Sequence, residues 1–372
     1  MRVNRSAALI GMFVSLVSAA RAAEPRPDKV LARPGVGVTS LELDAPYLYW
    51  SQNSHDEGAP VGVRRVDLRD GKTQALWTQE PVERVVVGSS TLFFISDMSQ
   101  RLSALAKDGG PARTLFDQDK LDVIAKVDMS TLADVVVSGD HLLLAVVPTN
   151  PCTDSAGAIV QTGLDGSKPK IIARGCPGRL ALDGTHIYWR EWGAQPEDGT
   201  TTPDRVMRVP RAGGQVELLA TEPVFGEVIV LGGGLFFVIE DRERSGREDV
   251  GLVRLDTSTK ERKLLVKKAK PEILSDGLDL YLRPPWTGRV SRLDEAKGKI
   301  DKVLNVSPVV PALAIARGDL YFVETDQETR ACVIKASGAN AGPATVVDDA
   351  DLEIDLDLDL SPLDLDAPPK TN

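Results

Sequence analysis

Side chains that could perform catalysis are scarce in this sequence of 372 residues. Its three histidines are His55, His141 and His186, and histidine serves as a general base or a metal ligand near neutral pH. Adjacent carboxylates occur at Asp56-Glu57 and at Glu197-Asp198, and carboxylates act as acid and base or bind calcium. Both pairs lie in polar stretches, where we interpret them as solvated. The sequence has neither a Gly-x-Ser-x-Gly elbow nor a phosphate-binding loop, so it predicts no catalytic constellation.

Two tryptophans depart from the pattern of the other aromatic residues. Trp192 directly follows a predicted strand, and Trp286 follows Pro284-Pro285 in a predicted loop. An exposed tryptophan offers a large apolar surface and one N–H donor, so it can anchor a protein, a peptide or a sugar. We therefore predict Trp192 and Trp286 as ligand-binding residues. The alternative is that each ring folds back on its own loop.

A repeated segment must position these side chains, and its best copy runs from Leu180 to Trp189. It reads as a short apolar strand, a turn at Asp183-Gly184, and a second strand that ends in a bulky pair. Seven copies occur, and the second residue of the pair recurs every 40 to 50 residues, a period typical of propellers and solenoids. These residues are Trp50, Phe94, Leu144, Trp189, Phe237, Leu282 and Phe322.

Each copy continues with a third strand, a glycine-containing turn such as Asp165-Gly166, and a fourth strand. A four-stranded antiparallel sheet has two faces to bury, and sheets stacked around an axis bury both. We predict an all-β fold, a seven-bladed β-propeller of four-stranded antiparallel blades over residues 38–348; six or eight blades stay open. Every copy has its own fourth strand, so no donated strand is required, although residues 30–32 or the C-terminal segment could supply one.

The blade model also predicts where the bulky pairs and the loops lie. The pairs should pack between blades. The longest insertions, residues 120–133, 148–157, 192–204 and 240–249, fall in second-to-third-strand loops or blade connections, which emerge at one end of a propeller. Function on repeat folds usually resides in such loops. His141 and His186 fall in first turns at the opposite end from His55, so the three cannot form a metal site.

The repeat resembles the YWTD-type propellers of lipoprotein receptors and the periplasmic propeller of the Tol system. The likeness rests on the strand-turn-Tyr-Trp pattern, best from Leu182-Asp183 to Trp189 and from Leu43-Asp44 to Trp50. Arg190-Glu191 and Ser51-Gln52 stand where those families have Thr-Asp. Those families are mostly six-bladed and serve mainly in protein binding, so the resemblance implies a protein partner, and no ligand residues carry over.

The cysteines and the C-terminal segment add further candidate features. Cys152 and Cys176 fall within one repeat, so we predict a disulfide between them, and Cys332 in an apolar strand reads as a buried small residue. Residues 349–372 form an acidic segment and tail, in which carboxylates and aliphatic residues alternate from Asp351 to Leu360. Calcium binding by these carboxylates is one interpretation, and an added edge strand is the other.

The N-terminus and the overall charge narrow the classes of function. Residues 1–23 carry Arg2 and Arg5, an apolar run and small residues near Ala22, which together are typical of a secretory signal peptide. Residues 24–37 read as a Pro-rich, charged linker. The protein is therefore expected to be periplasmic or secreted. A net charge of −10 argues against nucleic acid as a partner, and no segment is long and apolar enough to cross a membrane.

These observations favour an exported propeller that acts as a binding or scaffold module through loops on one face. Its partner would be a protein, a peptide or a glycan, with no cofactor required. The alternative is a metal-dependent hydrolase or lactonase-like enzyme that uses calcium at carboxylates of the central channel, since propellers also host such sites. A third hypothesis is assembly of the chain with itself.

Overall fold

A computed structural model describes the part of the chain that forms the repeats. The described residues are 29–54, 58–149, 156–193, 203–240, 250–267, 270–283, 289–294, 299–305, 312–316, 319–325 and 331–338. The predicted signal peptide (1–23) and acidic C-terminal segment (349–372) lie outside these ranges and stay predictions.

The described chain forms 28 strands and one helix. Blades one to three contain β2 (Val38–Asp44), β3 (Tyr47–Gln52), β4 (Gly62–Asp67) and β5 (Thr73–Trp77); β6 (Val82–Val87), β7 (Thr91–Ser96), β8 (Arg101–Ala106) and β9 (Arg113–Phe116); and β10 (Ser130–Ser138), β11 (His141–Pro148), β12 (Gly157–Gly163) and β13 (Lys170–Gly175). Helix α1 (Gln118–Ala125) lies between blades two and three.

Blades four to six follow the same order. They contain β14 (Pro177–Leu182), β15 (His186–Glu191), β16 (Arg205–Pro210) and β17 (Glu217–Thr221); β18 (Val224–Leu231), β19 (Gly234–Ile239), β20 (Gly251–Asp256) and β21 (Arg262–Lys267); and β22 (Glu272–Ser275), β23 (Leu280–Arg283), β24 (Arg289–Asp294) and β25 (Lys299–Asn305). Blade seven combines β26 (Leu313–Ala316), β27 (Asp319–Thr325) and β28 (Cys332–Gly338) with β1 (Lys29–Gly35).

Seven four-stranded antiparallel sheets confirm the predicted seven-bladed propeller. The first strands of successive blades contact one another from blade seven through blade one to blade six, and a cluster of buried side chains joins blades six and seven. The seven inner strands therefore surround the axis and line a central channel. The buried apolar side chains fall into seven clusters, and each cluster joins two successive blades. The core is therefore divided among the blade interfaces.

The bulky pair on each second strand confirms the predicted packing. Neighbouring residues on a strand point to opposite faces of the sheet. Accordingly Trp50 packs toward blade seven and Tyr49 toward blade two, while Trp189 packs toward blade three and Tyr188 toward blade five. Each pair thus fills two interfaces at once, which explains why the pattern recurs in every copy.

Polar groups at the turns fix the hairpins that carry these pairs. Asp183 accepts hydrogen bonds from the backbone N–H groups of Thr185 and His186, both at 2.7 Å, and from the hydroxyl of Tyr188 at 2.6 Å. Burial raises the pKa of Asp183, but these hydrogen bonds outweigh it and lower the pKa to about 2. Asp276 repeats the arrangement with Tyr281 at 3.3 Å. Both aspartates thus accept hydrogen bonds that hold the first turn of their blade.

Third-strand arginines join neighbouring blades across the same end. Arg65 donates to the carbonyl of Lys107 in blade two at 2.7 Å and to Gln74 Oε1 of its own blade, also at 2.7 Å. Arg208 repeats this in blade four, with the carbonyl of Thr257 in blade five at 2.5 Å. Because the acceptor is a backbone carbonyl of the next blade, the contact depends on position more than on the partner's residue type.

Strand β1 closes the ring, and this corrects the predicted linker (24–37) for residues 29–35; residues 24–28 lie outside the described ranges. Lys29–Gly35 is a strand that pairs with β28, from Lys29 opposite Ala336 to Gly35 opposite Cys332. It supplies the outermost strand of blade seven, so a donated strand is in fact used. The physical reason is visible in Leu31 and Ala32, which are buried in the cluster between blades seven and one.

The two ends of the propeller differ. We call the end with the second-to-third-strand loops and blade connections the insertion face; Asp97–Gln100, helix α1 and Trp192 lie there. We call the opposite end, with the first and third turns of each blade, the turn face. The insertion predicted at residues 120–133 contains part of α1, which begins after the N-cap Asp117 and buries Leu121 and Ala125 against blades two and three.

Ring closure by β1 gives a prediction with a matched control on the same strand. Leu31 is 8% exposed and its neighbour Val30 is 43% exposed. Leu31→Ala should lower the free energy of unfolding by about 2–3 kcal/mol through lost burial and a cavity. Val30→Ala should change it by less than about 0.5 kcal/mol. Urea unfolding of both variants measures this, and equal effects would contradict the role of β1 in the core.

Candidate functional site

Charged side chains from five blades converge on the central channel near the insertion face. Arg84, Asp134, Arg179 and Glu227 belong to the inner strands of blades two to five, and Glu42 belongs to that of blade one. Glu42 interacts electrostatically with Asp134 and Arg179, two and three blades away, and Glu227 interacts with Arg84, three blades away. Side chains of non-adjacent blades can interact in this way only across the axis.

Four of these side chains form two ion pairs. Arg84 Nη1 donates to Asp134 Oδ1, and the carboxylate of Asp134 also accepts the backbone N–H groups of Val135 and Leu180, each at 2.8 Å. Arg179 Nη1 lies 2.5 Å from Glu227 Oε1. Asp134 therefore joins blades two, three and four, because its partners come from the inner strands of all three.

Glu42 has no hydrogen-bond or ion-pair partner among the described residues. It keeps some surface open to the channel, but protein surrounds it on nearly all sides. Burial raises its pKa to about 7; Arg84 lowers the pKa and Asp134 raises it. Arg84 offsets only part of the pKa rise that burial causes, because its guanidinium is already bonded to Asp134. The channel thus holds two matched ion pairs and one carboxyl group without a counterion.

Trp192 is exposed at the insertion face, where its ring is supported by a buried ion pair. Its ring is 53% exposed and stacks on the guanidinium of Arg190, 3.8 Å from the ring centroid. Arg190 is itself buried and bonds Asp204 Oδ2, through Nε at 3.1 Å and Nη2 at 2.9 Å. Asp204 also accepts the N–H of Gly193 at 2.9 Å. A buried ion pair therefore holds the guanidinium against the indole, while about half of Trp192 stays exposed.

Trp192 adjoins the charged channel. A Cβ added at Gly178, the residue before Arg179, would lie 3.5 Å from the indole nitrogen. Arg190, beneath the ring, donates to the carbonyl of Gly226, the residue before Glu227, at 3.1 Å. The tryptophan thus lies at the rim of the channel beside the pair formed by Arg179 and Glu227.

Further exposed apolar side chains lie on the same face at blades two and three. Met98, Val123 and Met129 are all exposed. Asp97, Met98 and Ser99 have φ of +59°, +52° and +65° in succession, a left-handed run that non-glycine residues rarely adopt. The Ser99 N–H donates to Glu83 Oε2 at 3.1 Å, which helps to hold this turn.

The structure describes only some of the side chains singled out in the sequence. Trp286, His55, Cys152 and both adjacent carboxylate pairs lie outside the described residues, so the Cys152–Cys176 disulfide stays a prediction. Cys176 and Cys332 are buried, and Cys332 lies between blades seven and one with its Sγ 3.8 Å from Thr325 Oγ1. His141 and His186 lie at first turns as expected, beside Asp140 at 2.5 Å and Thr185 at 2.8 Å.

Sequence reasoning missed the channel charges, although the repeat contains a signal for them. In five successive copies a charged residue immediately precedes the apolar run of the first strand. These residues are Arg84, Asp134, Arg179, Glu227 and Glu272. In blades one and seven the same position holds the small residues Ser40 and Ala312. Aligning the copies one residue further upstream would have shown a position that faces the axis.

Comparisons with known proteins support the fold. No protein-family model and no curated protein matches this sequence. A puromycin-hydrolyzing peptidase of Mycobacterium tuberculosis is similar in structure, with a TM-score of 0.58 at 14% identity over 83% of this chain and 54% of that one. The structure of YCF48 bound to D1 peptide has a TM-score of 0.53 at 9% identity, over 84% of this chain and 96% of that one. The nidogen/laminin complex has a TM-score of 0.42 at 17% identity, over 62% of this chain and 79% of that one.

The first two of these likenesses show a β-propeller fold and leave the activity open. The chain spans about half the length of the puromycin-hydrolyzing peptidase that it matches. Within the described ranges, no group of three or more His, Cys, Asp or Glu side chains is arranged to hold a metal ion. None of the helical structure in those ranges has the length and hydropathy of a membrane span.

The unpaired carboxyl of Glu42 gives a pH-dependent prediction. Its folded-state pKa of about 7 exceeds the ordinary value of 4.5, so the folded state binds the proton more tightly than the unfolded state. Its contribution to stability is therefore complete below about pH 4.5 and is lost as the pH rises through about 7. The free energy of unfolding of Glu42→Gln should equal that of the wild type near pH 4.5. Above about pH 7 it should exceed the wild-type value by on the order of 2–3 kcal/mol.

Urea unfolding of wild type and variant across this pH range measures the difference. Glu261→Gln is the control, because Glu261 is exposed near the turn face and should show no pH-dependent difference. A Glu42→Gln variant that stays parallel to the wild type from about pH 5 to about pH 8 would show that Glu42 titrates normally.

Proposed function

We propose that this protein is an exported binding module that holds a polypeptide partner on its insertion face. The observation that carries the proposal is the exposed indole of Trp192, stacked on the buried Arg190 and placed at the rim of the channel. Export is inferred from the signal peptide predicted over residues 1–23, and the periplasm or the extracellular space is the proposed location.

The seat of Trp192 has the properties of an interface hot spot. Binding energy concentrates in a few tryptophan, tyrosine and arginine residues that lose little conformational freedom when the partner arrives. Trp192 meets this condition because Arg190 and Asp204 already fix the ring. The exposed Met98, Val123 and Met129 add apolar surface on the same face, and methionine adapts to partners of varied shape.

Structures of the same fold support a polypeptide partner. YCF48 was solved with D1 peptide, which places a peptide on a propeller of nearly the same extent as this one. The YWTD and Tol-system resemblance of the repeat points to the same class of partner. Both arguments concern the fold. The assignment of the binding face and of the binding residues rests on the geometry of Trp192.

Two variants of matched exposure test the anchor. Trp192→Ala should weaken capture of the partner from the exported fraction by about tenfold or more, since a tryptophan hot spot contributes about 2 kcal/mol or more. Leu218→Ala should leave capture unchanged, because Leu218 is 48% exposed on the outer strand β17, away from the channel. Quantitative pull-down with both variants measures this, and equal capture would remove Trp192 from the interface.

Site-specific photo-cross-linking tests which face binds. Met98 on the insertion face and Leu278 on the turn face are 76% and 75% exposed, so a photoreactive residue at either position is equally accessible. Cross-links to the captured partner are expected from position 98 only. Cross-links from position 278 alone would assign the partner to the opposite end of the propeller.

The alternative function, a calcium-dependent hydrolase, has one observation in its favour, because carboxylates do line the channel. However, Arg84 and Arg179 are interleaved among them and bind Asp134 and Glu227. Calcium needs six to eight oxygen ligands, and guanidinium groups at these oxygens oppose a second cation. We therefore expect calcium to leave the thermal unfolding temperature unchanged. A saturable rise, lost in Asp134→Asn, would favour the enzyme.

A further inference from the structure

The charged channel is asymmetric around its axis. The charged position of the inner strands forms an arc from Arg84 in blade two to Glu272 in blade six, where Glu272 bonds Arg283. Ser40 and Ala312 hold this position in blades one and seven, and the hydroxyl of Ser40 is occupied by the N–H of Val85 at 3.0 Å and by Ser51 at 2.6 Å. The arc is therefore open where these two small residues lie.

Glu42 lies on the same side of β2 as Ser40, the side that faces blade two. It follows Ser40 by two residues on β2, which runs from the insertion face toward the turn face. At about 3.3 Å per residue, it lies roughly 7 Å deeper than the arc of ion pairs. A group that enters the channel from the insertion face would meet, below the arc, the one channel carboxyl that has no partner among the described residues.

We propose that the channel at Glu42 binds a cationic group of the ligand, a primary ammonium or a guanidinium on an unbranched stem. The inference rests on the proposed function for the rest of the ligand, which would lie across Trp192 at the channel rim. In a polypeptide partner, the side chain of lysine or arginine has this chemistry and the length to reach past the arc.

The charge balance of the channel selects a cation over an anion. Two guanidinium groups, on Arg84 and Arg179, face three carboxyl groups, on Glu42, Asp134 and Glu227, and both guanidinium groups are already bonded. An entering anion would meet an excess carboxylate, and both cations already have a carboxylate as counterion. An entering cation would supply the counterion that Glu42 lacks, in a site where desolvation strengthens charge-assisted hydrogen bonds.

Binding at this site should respond to pH. The charged groups that face Glu42 are Arg84, Asp134 and Arg179 from the inner strands of blades two to four. Burial raises the pKa of Glu42 to about 7, so the carboxylate form that attracts a cation is in the minority at mildly acid pH. Cation binding should strengthen as the pH rises through this value and should release a proton at neutral pH.

Three small probes of similar size test the proposal without a macromolecular partner: n-butylammonium, n-butanol and n-butyrate. Ligand-observed NMR and thermal unfolding are recorded with wild type, Glu42→Gln and Glu261→Gln. Only n-butylammonium should bind saturably and raise the unfolding temperature. Its affinity should fall about tenfold or more in Glu42→Gln and by a similar factor from about pH 8 to about pH 5.5, and it should be unchanged in Glu261→Gln.

Defined outcomes would overturn the proposal. These are equal binding of the cation by Glu42→Gln, preference for n-butyrate or n-butanol, or no saturable binding to folded wild type below about 100 mM. Circular dichroism checks that each variant is folded, and Glu42→Asp, which keeps the charge, should retain part of the binding and its pH dependence. Because the probes do not need Trp192, their failure leaves the capture experiment intact, and failure of that experiment leaves the cation site intact.

Discussion

The constraint on which this structure depends is that each blade has two apolar faces and can cover them only with its neighbours. Seven clusters of buried side chains, one at each blade interface, take the place of a single core. An open row of blades would leave one apolar face exposed at each end, so the stack must close on itself. Strand β1 completes the closure by adding Leu31 and Ala32 to the last interface.

Closure also creates the chemistry of the channel. Inner strands that are far apart in sequence are brought around one axis, so that residues separated by nearly 200 positions, such as Glu42 and Glu227, belong to one electrostatic cluster. Most of its charges cancel in pairs, which is the ordinary way to keep charge inside a protein. The paired charges surround the site, and the additional carboxyl of Glu42 gives it a net negative charge when ionised.

The sequence predicted the blade architecture well because the repeat is a packing pattern. The bulky pairs and the turn aspartates recur for reasons local to one hairpin, as Trp189 and Asp183 illustrate. Closure by β1 was harder to predict, because its partner β28 lies some 300 residues away and residues 24–37 have the composition of a linker. Trp192 stood out as an aromatic residue outside the pattern. Its seat on Arg190 depends on Asp204, across a loop of variable length, so spacing alone could not predict it.

Which charges of the channel cluster pair with each other could not be predicted from individual residues. Arg84 and Asp134 belong to different copies, and their pairing depends on how neighbouring blades are stacked. The unpartnered state of Glu42 is a property of the whole ring, since it depends on which cations elsewhere are already bonded.

The pairing of β1 with β28 also sets how the molecule would be presented on a support. Lys29 and Ala336 lie opposite each other in that ladder, at the turn face and so at the far end from Trp192. A tether joined through either side of this seam would orient the channel mouth outward, toward the surrounding medium. Strand β1, which closes the propeller, therefore also determines on which side an attached molecule would leave the channel mouth accessible.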